Sequence, residues 1–398
     1  MKKYLITIAA IGLLSVLSLT AQKKDEKVEK KFKEYEFSDL KILPHTSVKN
    51  QASSGTCWSF SGLSMLESEI IRTKGDTVDL SAMWVVRNIY KDKVEKYVRM
   101  HKEVNLAAGG SFADVIHASV RYGFVPEQSY RGLNYGSDRH NHNELDRFVK
   151  SAGDILVDTR KLSPGWNLAI DAILDAYLGK VPETFIYKGA EYTPQSFAKY
   201  CGLNFDDYVS ITSFTHHPFY SSFILEIPDN WIYAPSFNVP MDELMAIVDN
   251  AIDRGYTVAW GADVSEGTFS RDRATVFDQK KSEEIGSDQA KWTRTKEKTT
   301  VEYLPVEKEI TQEMRQLAFD NYETTDDHGM QIVGTAKDLI TGQIFFKVKN
   351  SWGVGGKYNG YLYVSRAYVQ YKTINIVVHK DAIPENIKVK FNSCGSCL

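Results

Sequence analysis

Five late runs, YTVAWGADV, MQIVGTA, QIFFKVKN, GYLYVSR and INIVVHK, constrain this chain most. Each is rich in β-branched or aromatic residues and bounded by Gly, Asp or Asn, the pattern of strands that share a sheet. The amino-terminal half reads differently. Phe60, Leu63, Leu66 and Ile70 recur at helical spacing, with Glu67, Glu69 and Arg72 expected to face outward and Gly75 to close the helix. Further helices are expected over 81–103, 111–122, 168–178 and 194–200. Helices first and strands later predict an α+β fold in two lobes.

With 398 residues, 43 % of them hydrophobic, the chain can fill such cores without a metal or disulfide framework. The formal net charge of -3 gives no footing for nucleic-acid binding. A basic head, Met1 to Lys3, precedes an apolar stretch over 4–19, with Ala21 as a small residue for cleavage. This predicts a signal peptide over 1–21 and an exported protein, periplasmic or extracellular, with no stable membrane span after cleavage. Residues 22–43 read as a charged spacer, and 265–300 as an exposed, highly charged excursion.

Cys57 follows a small polar loop and opens the first helix. Thr56 is the expected N-cap, and a thiol in the first turn meets unpaired N–H groups and the positive end of the helix dipole, which favour a thiolate. Free cysteines are also common as small buried hydrophobes, so both readings stand at this point. Gln51 offers a side-chain amide donor that could join the backbone N–H of Cys57 in an oxyanion hole, or could be an ordinary surface residue. His328 precedes one strand and Asn350 ends the next. Antiparallel pairing about Leu339 would set them side by side, the asparagine carbonyl holding one ring nitrogen and the other facing a thiol; a structural histidine is the alternative.

Taken together, NQASSGTCWSF, DDHGMQIVG and KNSWGVGGKYNGYLYVSR resemble the three signature blocks of papain-family cysteine peptidases. Gly55, Cys57 and Trp58 fit the nucleophile signature, whereas Ser54 replaces its first cysteine and Thr56 its Ser or Ala. The separation of Cys57 and His328, 271 residues, exceeds the roughly 130–150 of the common type, so a large insertion is implied. That size, with NVPMDELMAIVDNAIDRGYTVAWGADVSE and GGSFADVIHASVRYGFVPEQSY, resembles the bleomycin hydrolase and aminopeptidase C branch.

The resemblance implies a papain-like fold: a helical left lobe over 44–130 with the catalytic cysteine, a mainly helical insertion over 131–213, a β-barrel right lobe over 214–385 with the histidine and asparagine, and a tail over 386–398. It implies Cys57 as nucleophile, His328 as general base and acid, Asn350 as orienter, Gln51 as oxyanion donor and Trp352 as a shield over the His–Asn pair. Gly109 and Gly110 match a glycine pair whose backbone lines the substrate cleft; a plain helix-start turn is the other reading. The implied activity is peptide hydrolysis, from the amino terminus if the branch holds, with no cofactor or metal. An open-cleft endopeptidase and a catalytically idle binding protein are the alternatives. In that branch the carboxy-terminal arm lies in the cleft of a hexamer; the tail here is short and carries the CGSC pair at 394–397, which leaves a homo-oligomer open. Cys394 and Cys397 read as a local disulfide or a bond to Cys201, Cys201 otherwise as packing, and the histidines of HNH (140–142) and HH (216–217) as exposed loop residues.

Overall fold

A computed structural model describes residues 30–278, 301–303 and 306–393. Among them, α1 (Cys57–Lys74), α2 (Ala82–Arg99), α3 (Phe112–Tyr122), α4 (Asn143–Asp158), α5 (Gly165–Leu178) and α6 (Pro194–Cys201) come first, and α7 (Met241–Asp253), α8 (Gln312–Asp320), α9 (Arg366–Lys372) and α10 (Glu385–Ser393) accompany the strands. The large sheet runs β6 (Ser222–Ile224), β7 (Pro235–Asn238), β5 (Tyr208–Thr212), β14 (Thr373–His379), β8 (Val258–Ala262), β11 (His328–Asp338), β12 (Ile344–Lys349), β13 (Tyr361–Ser365) and β9 (Arg273–Ala274), an open path with β2 (Phe37–Ile42) paired to β11. Two small pairs stand apart: β3 (Phe185–Tyr187) with β4 (Ala190–Tyr192), and β1 (Lys30–Phe32) with β10 (Val301–Tyr303). All five late apolar runs form strands of the large sheet. The chain is therefore mixed α and β, as its pattern predicts.

Two main hydrophobic clusters form. One joins α1 to α6 through residues such as Leu66, Val86, Val115, Leu145 and Leu174; the other lies between the sheet and α7, α9 and α10, with Trp260, Tyr368, Ile376 and Phe391 fully enclosed. Burial of such side chains contributes about 1.5–3 kcal/mol each. α1 bridges the two groups because it packs on β11 and β8 as well as on α2 and α3. That position changes its faces. Every residue from Trp58 to Ile70 is buried, including Glu67 and Glu69, which the sequence pattern turned outward. They are tolerated inside because they are paired: Glu67 accepts from Thr46 Oγ1, from Lys49 Nζ at 2.9 Å and from the Leu80 N–H at 2.8 Å, and Glu69 holds Arg72.

Polar side chains also stitch α1 to the sheet. Gln331 on β11 is fully buried; its Oε1 accepts from Ser64 Oγ at 2.6 Å, and its Nε2 donates to Ser64 O, Ser68 Oγ and Thr257 Oγ1. Lys349 on β12 donates to Thr46 Oγ1 and Ser64 Oγ. The helix that starts at Cys57 is thereby registered against the strand that starts at His328.

Several expectations need correction. Tyr35 is buried against Phe345 and Tyr363, and residues 37–42 add β2 to β11, so the last part of the expected spacer is structured. An edge strand takes its stability from the backbone of its neighbour, and a charged composition does not reveal it. Within 265–300, β9 pairs with β13 and Ala274 is buried; residues 279–300 lie outside the described residues, as do 1–29 and the cysteines of CGSC. His142 is fully buried, with burial holding its imidazole down to about 3, so HNH is no exposed loop cluster. Cys201 is free and fully buried in the helical core, as expected for a packing residue. No described helix is long and apolar enough to cross a membrane.

Candidate active site

α1 begins at Cys57. Thr56 precedes it but does not cap it, because its hydroxyl faces Ser54 Oγ at 2.5 Å instead. The Ser59 and Phe60 N–H groups donate to Thr56 O, which leaves those of Cys57 and Trp58 to the sulfur and to whatever binds above it. Cys57 Sγ accepts a hydrogen bond from the Gly329 N–H of β11 at 3.4 Å. Its neighbour His328 directs Nε2 to Asn350 Oδ1 at 2.8 Å, and the Trp352 ring covers the imidazole, centroids 4.7 Å apart. Cys57, His328, Gly110 and Asp229 line one pocket.

The way His328 meets Asn350 differs from the expectation. Near the site Gln331 pairs with Lys349 and Ile332 with Val348; continuing that register puts Trp352, not Asn350, opposite His328. The strand turn centres later than Leu339, since the Gly342 N–H donates to Asp338 O and the Asp338 N–H to Gln343 O. A side-chain hydrogen bond made across a diagonal spans the difference, and the true facing pair supplies the ring-on-ring cover.

Gln51 is brought in by backbone pairing. Its N–H donates to Ser351 O at 2.8 Å, Asn50 bridges to Trp352, and Gln51 Oε1 accepts from Ser351 Oγ at 2.6 Å. With its carbonyl oxygen held, its NH2 remains the free end of the amide, as an oxyanion donor requires.

His328 is buried and Cys57 half-buried, and burial is the largest influence on each. It pushes the Cys57 thiol up to about 12, opposed by the N–H groups of Gly329 and Trp58 and reinforced by Asp326 and Asp229. It holds His328 down to about 4, opposed by the bond to Asn350. Burial favours the neutral form of each group, against the pull of the helix terminus on anionic sulfur.

Gly109 and Gly110 lie where side chains would not fit. A Cβ on Gly109 would come within 2.0 Å of Asp229 Oδ2, and one on Gly110 within 2.8 Å of the Trp58 ring. Their segment is pinned by Trp58 Nε1 to Ala108 O at 3.1 Å and by the buried Lys93 Nζ to Ala107 O at 2.9 Å and to Gly109 O.

Residues that sequence reading missed form the acidic wall of the pocket. Asp229 accepts from Asn105 Nδ2 at 3.0 Å, whereas Asp326 has no hydrogen-bond partner among the described residues. Burial, then repulsion from Asp229 and Asp327, raises the Asp326 carboxyl to about 7. Asp326 stands two residues before His328, a signal that adjacency could have supplied; Asp229 arrives from a distant loop and left none.

Residues 183–397 match the family model of the Peptidase C1-like family, and residues 35–142 that of papain family cysteine proteases. The chain belongs to the Peptidase C1-like family and is a papain-type cysteine peptidase. Among the relatives of this C1-type chain, an aminopeptidase C of Streptococcus thermophilus is 25 % identical over 85 % of the chain and 81 % of the relative. An aminopeptidase C of Lactococcus lactis subsp. cremoris is 24 % identical over 86 % and 83 %. A solved structure, pepw of Lactobacillus rhamnosis hn001, superposes with a TM-score of 0.64 at 21 % identity, covering 89 % of the C1-type chain and 85 % of its own, a likeness of fold.

Proposed function

We propose that the protein is an exported thiol aminopeptidase in which Cys57, His328, Asn350 and Gln51 carry the chemistry. The observation that carries the reading is the hydrogen bond between His328 Nε2 and Asn350 Oδ1, where His328 shares a pocket with Cys57 at a helix start. With Nε2–H donated to Asn350, the Nδ1 lone pair is the base. Sγ attacks the peptide carbonyl carbon while its proton passes to Nδ1, and the oxyanion is met by the Cys57 N–H and the Gln51 NH2. The two charges formed, imidazolium and oxyanion, attract each other strongly in a site that excludes water. His328 then protonates the leaving amine, and the thioester is hydrolysed by a water that returns a proton to the ring.

Amino-terminal action is supported by the acidic wall. Asp229 and Asp326 stand beside the nucleophile where a free α-ammonium group could be received, and relatives over most of the chain are named aminopeptidase C. The reading includes two lobes with the cleft between them, a barrel-type right lobe, the insertion over 131–213 within the helical side, and a signal peptide over 1–21. A peptide-library digest with mass-spectrometric product mapping, run beside Cys57→Ala, tests it. Stepwise loss of amino-terminal residues, absent in the variant, is expected; equal cleavage of acylated peptides would replace it with an endopeptidase.

A further inference from the structure

The loop after β5 carries His216 and His217, and the chain just past β6 carries Glu226. The two imidazoles meet different oxygens of the one carboxylate, His216 Nε2 to Oε2 at 2.9 Å and His217 Nε2 to Oε1 at 3.0 Å. One ligand-type atom from each residue lies within 4.8 Å of the others, and among the described residues this is the group that does so.

The rings are held from behind. His217 stacks on Phe223 with centroids 4.1 Å apart, and His216 stacks on Phe319 at 5.8 Å while meeting the Phe223 edge. Buried Gln316 presents both Nε2 (3.1 Å) and Oε1 (3.4 Å) to His216 Nδ1, and is itself fixed by the Thr215 N–H and by Asp320. Such a backing amide can donate to Nδ1 when Nε2 holds the proton, or accept Nδ1–H when Nε2 holds a metal, which is how metal-bound histidines are oriented. The three side chains are 28 %, 35 % and 57 % exposed, so an ion can reach them.

We propose that His216, His217 and Glu226 bind a divalent transition metal of the zinc class, with water completing the shell. Two imidazoles and a carboxylate are a donor set that this class favours. Tetrahedral bonds of about 2.0–2.1 Å set ligand atoms about 3.4 Å apart. The two histidine–glutamate contacts, 2.9 and 3.0 Å, run to different carboxylate oxygens, and rotation of the exposed Glu226 would open them to that spacing and offer one oxygen to an ion between the rings. On binding, each ring proton moves from Nε2 to Nδ1, and the metal replaces the two bonds to the carboxylate. Ile227 and Asp229 of the cleft wall follow Glu226 directly. The ion would fasten that wall to α8, independently of the thiol chemistry.

Cobalt titration of the full chain tests this, with Cys57, Cys394 and Cys397 replaced by Ala so that no accessible thiol competes. Saturation at one equivalent is expected, with visible d–d absorption, displacement by zinc, and a raised melting temperature. Glu226→Gln and His217→Gln should each weaken binding at least as much as Gln316→Ala, for which loss of a backing partner implies about 10–100-fold. Absence of saturable binding, or binding that survives both Glu226→Gln and His217→Gln, would overturn the proposal. The melting temperatures of metal-free Glu226→Gln and His217→Gln, expected to match that of the parent, separate a lost ligand from a damaged fold.

Discussion

Replacing Asp326 by Asn should cost the enzyme its preference for free amino termini while making the fold more stable at neutral pH. The carboxyl is raised to about 7, foremost by burial, so about half of it is ionised at pH 7 and about one-hundredth at pH 5. An α-ammonium at roughly 4 Å gains about 4 kcal/mol at an effective dielectric of about 20, much of it offset by desolvation. A net of about 1.4 kcal/mol remains reasonable and corresponds to tenfold. The assay is the ratio of kcat/KM for a free peptide to that for its acetylated twin, since changes at Cys57 or His328 cancel in the ratio. In the parent the ratio should fall by about fivefold from pH 7 to pH 5, because only about half of the carboxyl is ionised at pH 7; in Asp326→Asn it should be low and flat. Stability provides the control. A carboxyl whose folded pKa is raised destabilises the fold as pH rises past its unfolded value of about 3.9, fully so above about 7. The variant should therefore melt higher than the parent at pH 8 and equally at pH 3.5. An unchanged ratio at pH 7 would refute the assignment of Asp326 to the ammonium.

Three further outcomes are expected. Asn350→Ala removes the acceptor that fixes the His328 ring and should lower kcat by about 100-fold with little change in KM or circular dichroism. Gln331→Leu removes one hydrogen-bond partner each from the hydroxyls of Ser64, Ser68 and Thr257, of which Ser64 keeps Lys349 and Ser68 keeps the Ser64 carbonyl; it should lower the unfolding free energy by about 3 kcal/mol in urea titration, since each lost partner costs about 1–3 kcal/mol. Gly109→Ala drives a methyl into the Asp229 carboxylate; KM for free peptides should rise while the melting temperature shifts by only a few degrees, and an unchanged KM would detach Asp229 from substrate binding.

Local chemistry was legible without coordinates wherever neighbours in sequence decide it. The spacing of Phe60, Leu63, Leu66 and Ile70, the glycine after Lys74 and the β-branched runs specify helices and strands through backbone periodicity, and the observed elements follow them. The residue types at Cys57, His328, Asn350 and Gln51 announced a thiol site because few other uses bring that set together in three such blocks. Tertiary structure decided what depends on groups remote in the chain. The offset register that lays Trp352 on His328 comes from a turn later than the midpoint, and Gln51 is aimed by Ser351 three hundred positions away. Desolvation is likewise collective: it pushes the Cys57 thiol up against the pull of its own helix, and holds the buried His142 imidazole down. The joining of Asp229 to Asp326, and of Glu226 to the histidine pair, belongs to the same class. Sequence carries the propensities of short stretches; dielectric, register and convergence are properties of the packed molecule, because each is a sum over partners that no single stretch contains.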